Sequence, residues 1–249
     1  MSDIVIREVA PDVWTFSRCE EVYTAQMPYT LLGLFPVGGR STAIKLATGG
    51  VWILASTPLT DETKQKLAEL GEVKYIVAGN AFHHLFLKQY KDAYPTAKTI
   101  GPEDLNAKKA AEGWQLDAVF SAKTPDLKHG FEDEIEHCYF SGFANKDVAF
   151  YHKASKTAIG ADLLMNNPPK EQYSKSPLSP KSTLLSAMTP HGWQLRAFIW
   201  LKEKDKAAMI RDATKVYEWD FVRFIPCHGD VIEANAKEAW KAAWGRYLS

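Results

Sequence analysis

Four side chains of the kind that bind metal ions are His83, His84, Asp162 and His228. The two adjacent histidines come shortly after the apolar segment VKYIV, Asp162 comes directly after TAIGA, and His228 directly after FVRFIPC. Each segment predicts a short buried strand. In α/β proteins the carboxyl ends of strands carry the ligand-binding side chains. Because imidazole and carboxylate are common metal ligands, the shared position predicts one metal site.

Each candidate also has a purely structural interpretation. One of His83 and His84 could cap the following helix while the other packs beneath it, since adjacent helical residues point about 100° apart. Both can reach one ion only from a loop or a first helical turn. Asp162 could cap a turn, and His228 could be a turn residue before Gly229. The residues alone leave these alternatives open.

Other residues and motifs carry less signal. Cys227 is predicted to be a buried strand residue, because no base is placed beside it by spacing. The remaining histidines, His129, His137, His152 and His191, are not proposed as ligands. The chain has no Gly-x-Gly-x-x-Gly segment after a strand and no Gly-x-Ser-x-Gly elbow. A bound nucleotide cofactor and a serine nucleophile therefore have no support.

The composition is that of a globular protein. Among 249 residues, 46% are hydrophobic, and 30 Lys and Arg balance 30 Asp and Glu. This balance gives no reason to expect nucleic acid or an anionic membrane as a partner. The partner expected from the candidate metal site is a small-molecule substrate. The three cysteines are widely spaced, which argues against a disulfide framework. Without a signal-like N-terminus or a spanning apolar run, the expected location is cytoplasmic. The oligomeric state is not predicted.

The order of the elements predicts the fold. Thr60 should cap a helix that ends at Gly71, and further helices are expected over 102–113, 193–200, 204–218 and 234–247. Hairpins are expected over 3–18 and 41–55, with later strands over 135–142, 148–151, 157–161 and 221–225. Hairpins mixed with βα units favour a four-layer αββα sandwich, formed by a single domain over 1–249. The segments 20–35 and 166–182 are predicted to be loops that shape the substrate site.

These motifs resemble the metallo-β-lactamase superfamily. The similarity covers most of the chain, and GADLL and IPCHGD provide counterparts of that family's bridging Asp and terminal His, here Asp162 and His228. His83 and His84 occupy the place of the family's adjacent Asp-His ligands. The resemblance implies an αββα fold in which metal ions activate water for attack on an ester, amide, thioester or phosphoester.

Several departures from the family pattern reduce the expected ligand set. Asn80 and Phe82 stand where the first two histidines would be, and Phe143 stands where a separate histidine would be. Ala55-Ser56-Thr57 replaces a further Asp. The resemblance is therefore to a degenerate branch in which one metal subsite is lost.

The sequence leads to a metal-dependent hydrolase of a small ester or lactone. One divalent ion, zinc with iron and manganese as alternatives, is expected on His83, His84, Asp162 and His228, with His84 and Asp162 also catalytic. Two alternatives remain: a redox-active iron or manganese enzyme acting on a small aromatic or oxygenated substrate, and a non-catalytic binding protein on a decayed hydrolase fold.

Overall fold

The computed structural model describes residues 4–19, 38–182, 185 and 187–248. Over these residues the chain forms eleven strands and six α-helices. The strands are β1 Val5–Ala10, β2 Val13–Cys19, β3 Gly38–Lys45, β4 Gly50–Leu54, β5 Glu72–Val77, β6 Lys98–Pro102, β7 Ala118–Phe120, β8 Ile135–Tyr139, β9 Val148–His152, β10 Thr157–Gly160 and β11 Arg223–Pro226. The helices are α1 Asp61–Leu70, α2 Leu87–Ala93, α3 Leu105–Ala111, α4 Trp193–Leu201, α5 Lys206–Glu218 and α6 Ala236–Trp244.

The strands form two sheets. The first has seven strands in the order β1-β2-β3-β4-β5-β6-β7, and the second has four in the order β11-β10-β9-β8. In the first sheet β1 to β4 pair antiparallel, and β4 to β7 pair parallel. In the second, β10 and β11 pair parallel, so their carboxyl ends lie at the same edge. That edge carries Asp162 and His228.

Three apolar clusters separate four layers. Trp52, Ile100, Phe150 and Ile225 belong to a cluster that joins strands of both sheets, so the sheets pack face to face. The neighbouring β4 residues Val51 and Ile53 point to the other face, as strand alternation requires, and pack with residues of α1, α2 and α3. A third cluster joins the second sheet to α4, α5 and α6. The predicted αββα sandwich is confirmed.

Local signals in the sequence identified most helices. Thr60 caps α1 by accepting a hydrogen bond from the backbone N–H of Thr63 at 3.2 Å, and Gly71 follows the helix with φ +142°. Both features explain why α1 begins and ends as predicted. Across the described ranges, no helix is both long and apolar enough to cross a membrane.

The strand β7 has only three residues and pairs with β6 at the sheet edge. The strand β3 begins at Gly38 and pairs with β2. The segment 166–182 forms a loop as predicted. The proposed loop at 20–35 lies outside the described residues, and the single domain over 1–249 stays a prediction.

Candidate metal centre

Three of the four predicted side chains meet at one point. The Nε2 atom of His83 lies 3.2 Å from Oδ1 of Asp162, and Nε2 of His228 lies 3.4 Å from the same oxygen. The two Nε2 atoms are 3.2 Å apart. The side chains are 13%, 8% and 12% exposed for His83, Asp162 and His228 respectively. The triangle is therefore largely buried.

The strand ends bring these residues together. His83 follows β5, while Asp162 and His228 follow the parallel pair β10 and β11. The loop after β5 is joined to β9 and the segment before it by two backbone hydrogen bonds, from Val148 N to Gly79 O at 2.9 Å and from Ala81 N to Asn145 O at 3.0 Å. One sheet thus supplies His83 and the other supplies the remaining pair.

Two buried amides hold the carboxylate of Asp162. Asn80 and Asn145 each donate from Nδ2 to Oδ2 of Asp162 at 2.7 Å. Because Oδ2 is occupied, Oδ1 is the oxygen that faces both histidines. The Oδ1 atom of Asn80 accepts the backbone N–H groups of Phe82 and His83, both at 2.8 Å. The same side chain therefore orients His83 and Asp162.

The outer nitrogens of both imidazoles are also occupied. His228 Nδ1 lies 2.6 Å from the carbonyl oxygen of Gly38, so the Nδ1–H tautomer donates there. His83 Nδ1 lies 3.5 Å from Sγ of Cys227. Such partners fix the ring orientation and leave Nε2 as the ligand atom, as is usual for metal-binding histidines.

A buried arginine holds the loop that carries His228. Arg40 donates to the carbonyl oxygens of Pro226 and Gly229, both at 2.7 Å. It also donates to Ser17 Oγ at 2.9 Å and pairs with Glu171 Oε1 at 3.1 Å. Burial lowers the pKa of Arg40, an effect opposed by the charge of Glu171. The guanidinium therefore fixes both sides of the turn around His228.

The charges in the site depend on one another. Burial alone would lower the pKa of each histidine, but interactions with Cys227 and Asp162 raise the pKa of His83 well above its usual range and that of His228 to about 9. Burial would raise the pKa of Asp162, yet the two histidines hold it well below its usual range. Without a metal, these interactions favour the charged forms of the carboxylate and of both imidazoles.

A second carboxyl group lies behind this triangle. Asp147 is fully buried, and its Oδ1 accepts the backbone N–H of Asp162 at 2.8 Å. Burial and the neighbouring charge of Asp162 raise the pKa of Asp147 well above its usual range. Its carboxyl group fixes the backbone of Asp162 through this hydrogen bond.

The three central atoms fit a metal ion. Around a tetrahedral ion with bonds of about 2.0 Å, ligand atoms lie about 3.3 Å apart. The three separations in the triangle range from 3.2 to 3.4 Å. Two imidazole nitrogens and one carboxylate oxygen form a donor set that zinc, iron and manganese all accept.

Cys227 offers an alternative to the carboxylate. Ligand atoms of His83, Cys227 and His228 all lie within 4.8 Å of one another. However, the sulfur faces Nδ1 of His83, on the ring edge opposite to Asp162 and His228. The set that includes Asp162 is tighter and uses ring nitrogens on one side, so it is the better metal site.

His84 lies in different surroundings from its neighbour. Burial and the charges of Lys109 and Lys108 lower its pKa to about 4. Its Nδ1 is buried and has no hydrogen-bond partner among the described residues. The structure does not bring His84 into the triangle, and its assignment as a ligand and catalytic residue stays a prediction.

The family departures have visible structural consequences. Phe143 is fully buried and packs against Phe198 and Trp244. An apolar core residue therefore stands where the resemblance places a separate histidine. Thr57 is buried, and its Oγ1 lies 2.7 Å from Oγ of Ser41. Sequence reasoning missed Asn145, Asp147 and Arg40, because their roles depend on which buried groups surround them.

Solved structures with the same fold support the predicted resemblance. A metallo-β-lactamase from Hirschia baltica is 10% identical, with 100% of this chain and 99% of that chain covered and a TM-score of 0.62. The mono-zinc form of FIM-1 from Pseudomonas aeruginosa is 10% identical, with coverages of 99% and 95% and a TM-score of 0.62. The Flv1 flavodiiron core from Synechocystis sp. PCC6803 is 13% identical, with coverages of 99% and 61% and a TM-score of 0.68. The metallo-β-lactamase fold is thereby confirmed.

Sequence comparison adds one family. The model described as a domain of unknown function (DUF4336) matches residues 11–192. No curated protein matches the chain. The match includes His83 and Asp162 and ends before His228.

Proposed function

We propose that this chain, which belongs to the DUF4336 family, is a metal-dependent hydrolase with a single-metal site. The ligands are His83, Asp162 and His228, and the substrate is a small ester or lactone. The observation that carries the proposal is the mutual spacing of 3.2 to 3.4 Å between Nε2, Oδ1 and Nε2. The fold shared with metallo-β-lactamases supports a hydrolase.

The chain provides the features that such a site requires. A divalent ion bound there supplies Lewis acidity and activates water near neutral pH. Asp162 presents only Oδ1, because two amides occupy Oδ2. His228 is held by the Gly38 carbonyl with Nε2 directed inward. These contacts preorganise the ligands, which lowers the cost of assembling the site.

Residues beside the triangle indicate how a substrate could be bound. Phe82 precedes His83 and is 48% exposed. The ammonium groups of Lys108 and Lys202 lie 5.3 Å and 5.8 Å from its ring centroid. An exposed aromatic ring flanked by cations favours a small substrate that carries an apolar group and a negative or strongly polar group.

Metal content tests the site. Protein purified without chelators is analysed by plasma mass spectrometry, as wild type and as the His228→Ala, Asp162→Ala and His84→Ala variants. We expect wild type and His84→Ala to retain the same metal content, while His228→Ala and Asp162→Ala each lose one equivalent. Retention of full metal content by His228→Ala would exclude the site. Loss of metal in His84→Ala instead would support His84 as a ligand, as predicted from the sequence.

Activity tests the chemistry. Metal-loaded wild type is assayed against a panel of small aryl esters and lactones, with Asp162→Ala as the control. We expect turnover that depends on both metal and Asp162. A protein that binds one metal ion but cleaves nothing in the panel contradicts the hydrolase proposal. A protein without metal that retains a tight ligand indicates the non-catalytic binding alternative.

The donor set favours one second candidate, a redox-active iron enzyme. Two histidines and one carboxylate, with other positions open, form the ligand set of non-haem iron oxygenases. The fold is also similar to that of a protein described as a flavodiiron core. Oxygen uptake by the iron-loaded protein with an added reductant, absent from the zinc-loaded protein, would favour this function over hydrolysis.

A further inference from the structure

A second group of metal-binding side chains lies outside this site. His129, Glu132 and His137 place ligand atoms within 4.8 Å of one another. They come from the loop before β8 and from β8 itself, an edge strand of the four-stranded sheet. We propose that these three residues form a second, structural site for a divalent ion of the zinc class.

The donor atoms fit this chemistry. Two imidazoles and one glutamate are a ligand set that proteins use for zinc. Nδ1 of His137 lies 3.6 Å from Oε1 of Glu132, too long for a hydrogen bond but close to the spacing of about 3.3 Å between ligands of a tetrahedral ion. The ring centroids of His129 and His137 are 5.5 Å apart.

An unpartnered nitrogen points to a missing ligand. Nδ1 of His137 is buried and has no hydrogen-bond partner among the described residues, and the side chain is 10% exposed. A buried polar atom without a partner is costly. Since Oε1 of Glu132 lies 3.6 Å from this nitrogen, an ion between them would give Nδ1 of His137 a partner.

The glutamate and its loop are held in place independently of any ion. Oε1 of Glu132 accepts the backbone N–H of His129 at 2.7 Å, and Oε2 accepts that of Gly130 at 2.8 Å. Tyr75 donates to the carbonyl of Gly130 and Lys98 to that of His129, both at 3.0 Å. The loop is thus tied to β5 and β6 of the other sheet, and the ligands are preorganised.

The location indicates a structural role. The ring of Phe120, in the edge strand β7, lies 4.8 Å from the ring of His129 and 4.9 Å from that of His137. An ion here would join the loop after β7 to β8, where the edges of the two sheets meet. Binding to the folded state alone stabilises a protein, so the ion should raise the melting temperature.

Zinc stoichiometry tests the second site. Wild type, His137→Gln and His152→Gln are equilibrated with ZnCl₂, passed through a desalting column and analysed for zinc. His152 is a buried histidine of the adjacent strand β9 and is outside the cluster, so it is the matched control. We expect His137→Gln to contain one equivalent less than wild type, and His152→Gln to match wild type. Equal zinc in His137→Gln and wild type would overturn the proposal.

This readout does not depend on the first site, because the difference of one equivalent is the same whether His83, Asp162 and His228 bind zinc or not. A variant-free measurement covers the case in which His137→Gln does not fold. Crystals of wild type soaked in ZnCl₂ are measured above the zinc absorption edge. An anomalous peak between His129, Glu132 and His137 supports the site. The absence of a peak at this position overturns it.

Discussion

His83 and His228 place their Nε2 atoms 3.2 Å apart although 145 positions separate them in the chain. Both nitrogens also lie within 3.4 Å of one oxygen of Asp162. Each Nε2–H group can donate to this oxygen, but the two nitrogens then face each other at 3.2 Å with no acceptor between them. An ion at the centre would satisfy all three atoms, which is the physical basis of the proposed function.

The amides behind Asp162 should control the strength of metal binding. In Asn145→Ala, Oδ2 of Asp162 loses one of its two donors at 2.7 Å and the carboxylate gains freedom to turn. We expect metal affinity to fall about 10- to 100-fold, the usual cost of removing a partner of a metal ligand. Asn80→Ala should cost more, since Asn80 also holds His83. Isothermal titration calorimetry with zinc measures both.

The control for these variants is Asn106→Ala, an exposed asparagine of α3. Its zinc affinity should equal that of wild type. Unchanged affinity in Asn145→Ala, with a folded circular dichroism spectrum, would contradict the role of the amides.

Arg40 should be among the most destabilising positions to change. Arg40→Met removes the donors to the carbonyls of Pro226 and Gly229 and leaves Glu171 without its buried partner. Removal of one partner of a buried ion pair costs about 3–5 kcal/mol. Arg40→Lys should restore only part of this, because an ammonium lacks the planar fork. Urea unfolding measures the free energy of unfolding.

Arg196→Met is the matched control, because Arg196 is exposed on α4. We expect its free energy of unfolding to change by less than about 0.5 kcal/mol. A loss in Arg40→Met no larger than in this control would show that the buried guanidinium does not hold the loop.

Much of the fold and part of the site were accessible from sequence. The strand signals before His83, Asp162 and His228 placed these residues at strand ends. The mixture of hairpins and βα units predicted two packed sheets. The sequence offered both His83 and His84 as ligands, and spacing could not show which of them the fold directs toward Asp162. The choice depends on Asn80, whose side chain accepts the N–H of His83 and turns that residue inward.

Other site residues could not be predicted, because their roles depend on distant partners. Gly38, Gly39 and Arg40 have the composition of a turn, yet Gly38 supplies a carbonyl to His228 and Arg40 is buried beneath the same loop. Both partners come from β11 or its following loop, about 190 residues away. No local pattern contains that information.

Acid should destabilise the fold through histidines that are buried in the neutral form. Burial lowers the pKa of His152, an effect opposed by Glu134 and Asp12, and Nδ1 lies 2.8 Å from Oγ of Ser155. Below about pH 6.5 the unfolded chain takes up a proton that the folded chain refuses. The contribution of His152 to stability is therefore complete above that pH and is lost as the pH falls. We expect the free energy of unfolding of His152→Gln to fall less steeply with decreasing pH than that of wild type.

Urea unfolding in EDTA at pH 7.5, 6.5, 5.5 and 5.0 measures the slope, with the exposed His191→Gln as control. The pKa values of His84 and His137 are also lowered, to about 4. These two histidines therefore still make the free energy of unfolding fall with pH in both variants. Identical slopes in His152→Gln and His191→Gln would contradict the assignment.

Gly229, directly after His228, is required by the backbone of the metal loop. Its φ is +92°, and a Cβ there would lie 2.4 Å from the backbone of Asn166. Gly229→Ala should therefore displace the loop, lower the free energy of unfolding by about 1–3 kcal/mol and reduce zinc binding. Gly245 has φ −52° and open space around its Cβ position, so Gly245→Ala should be neutral or slightly stabilising. Urea unfolding and zinc titration of the two variants measure both effects, and normal zinc affinity in Gly229→Ala would show that the loop holds His228 without this backbone conformation.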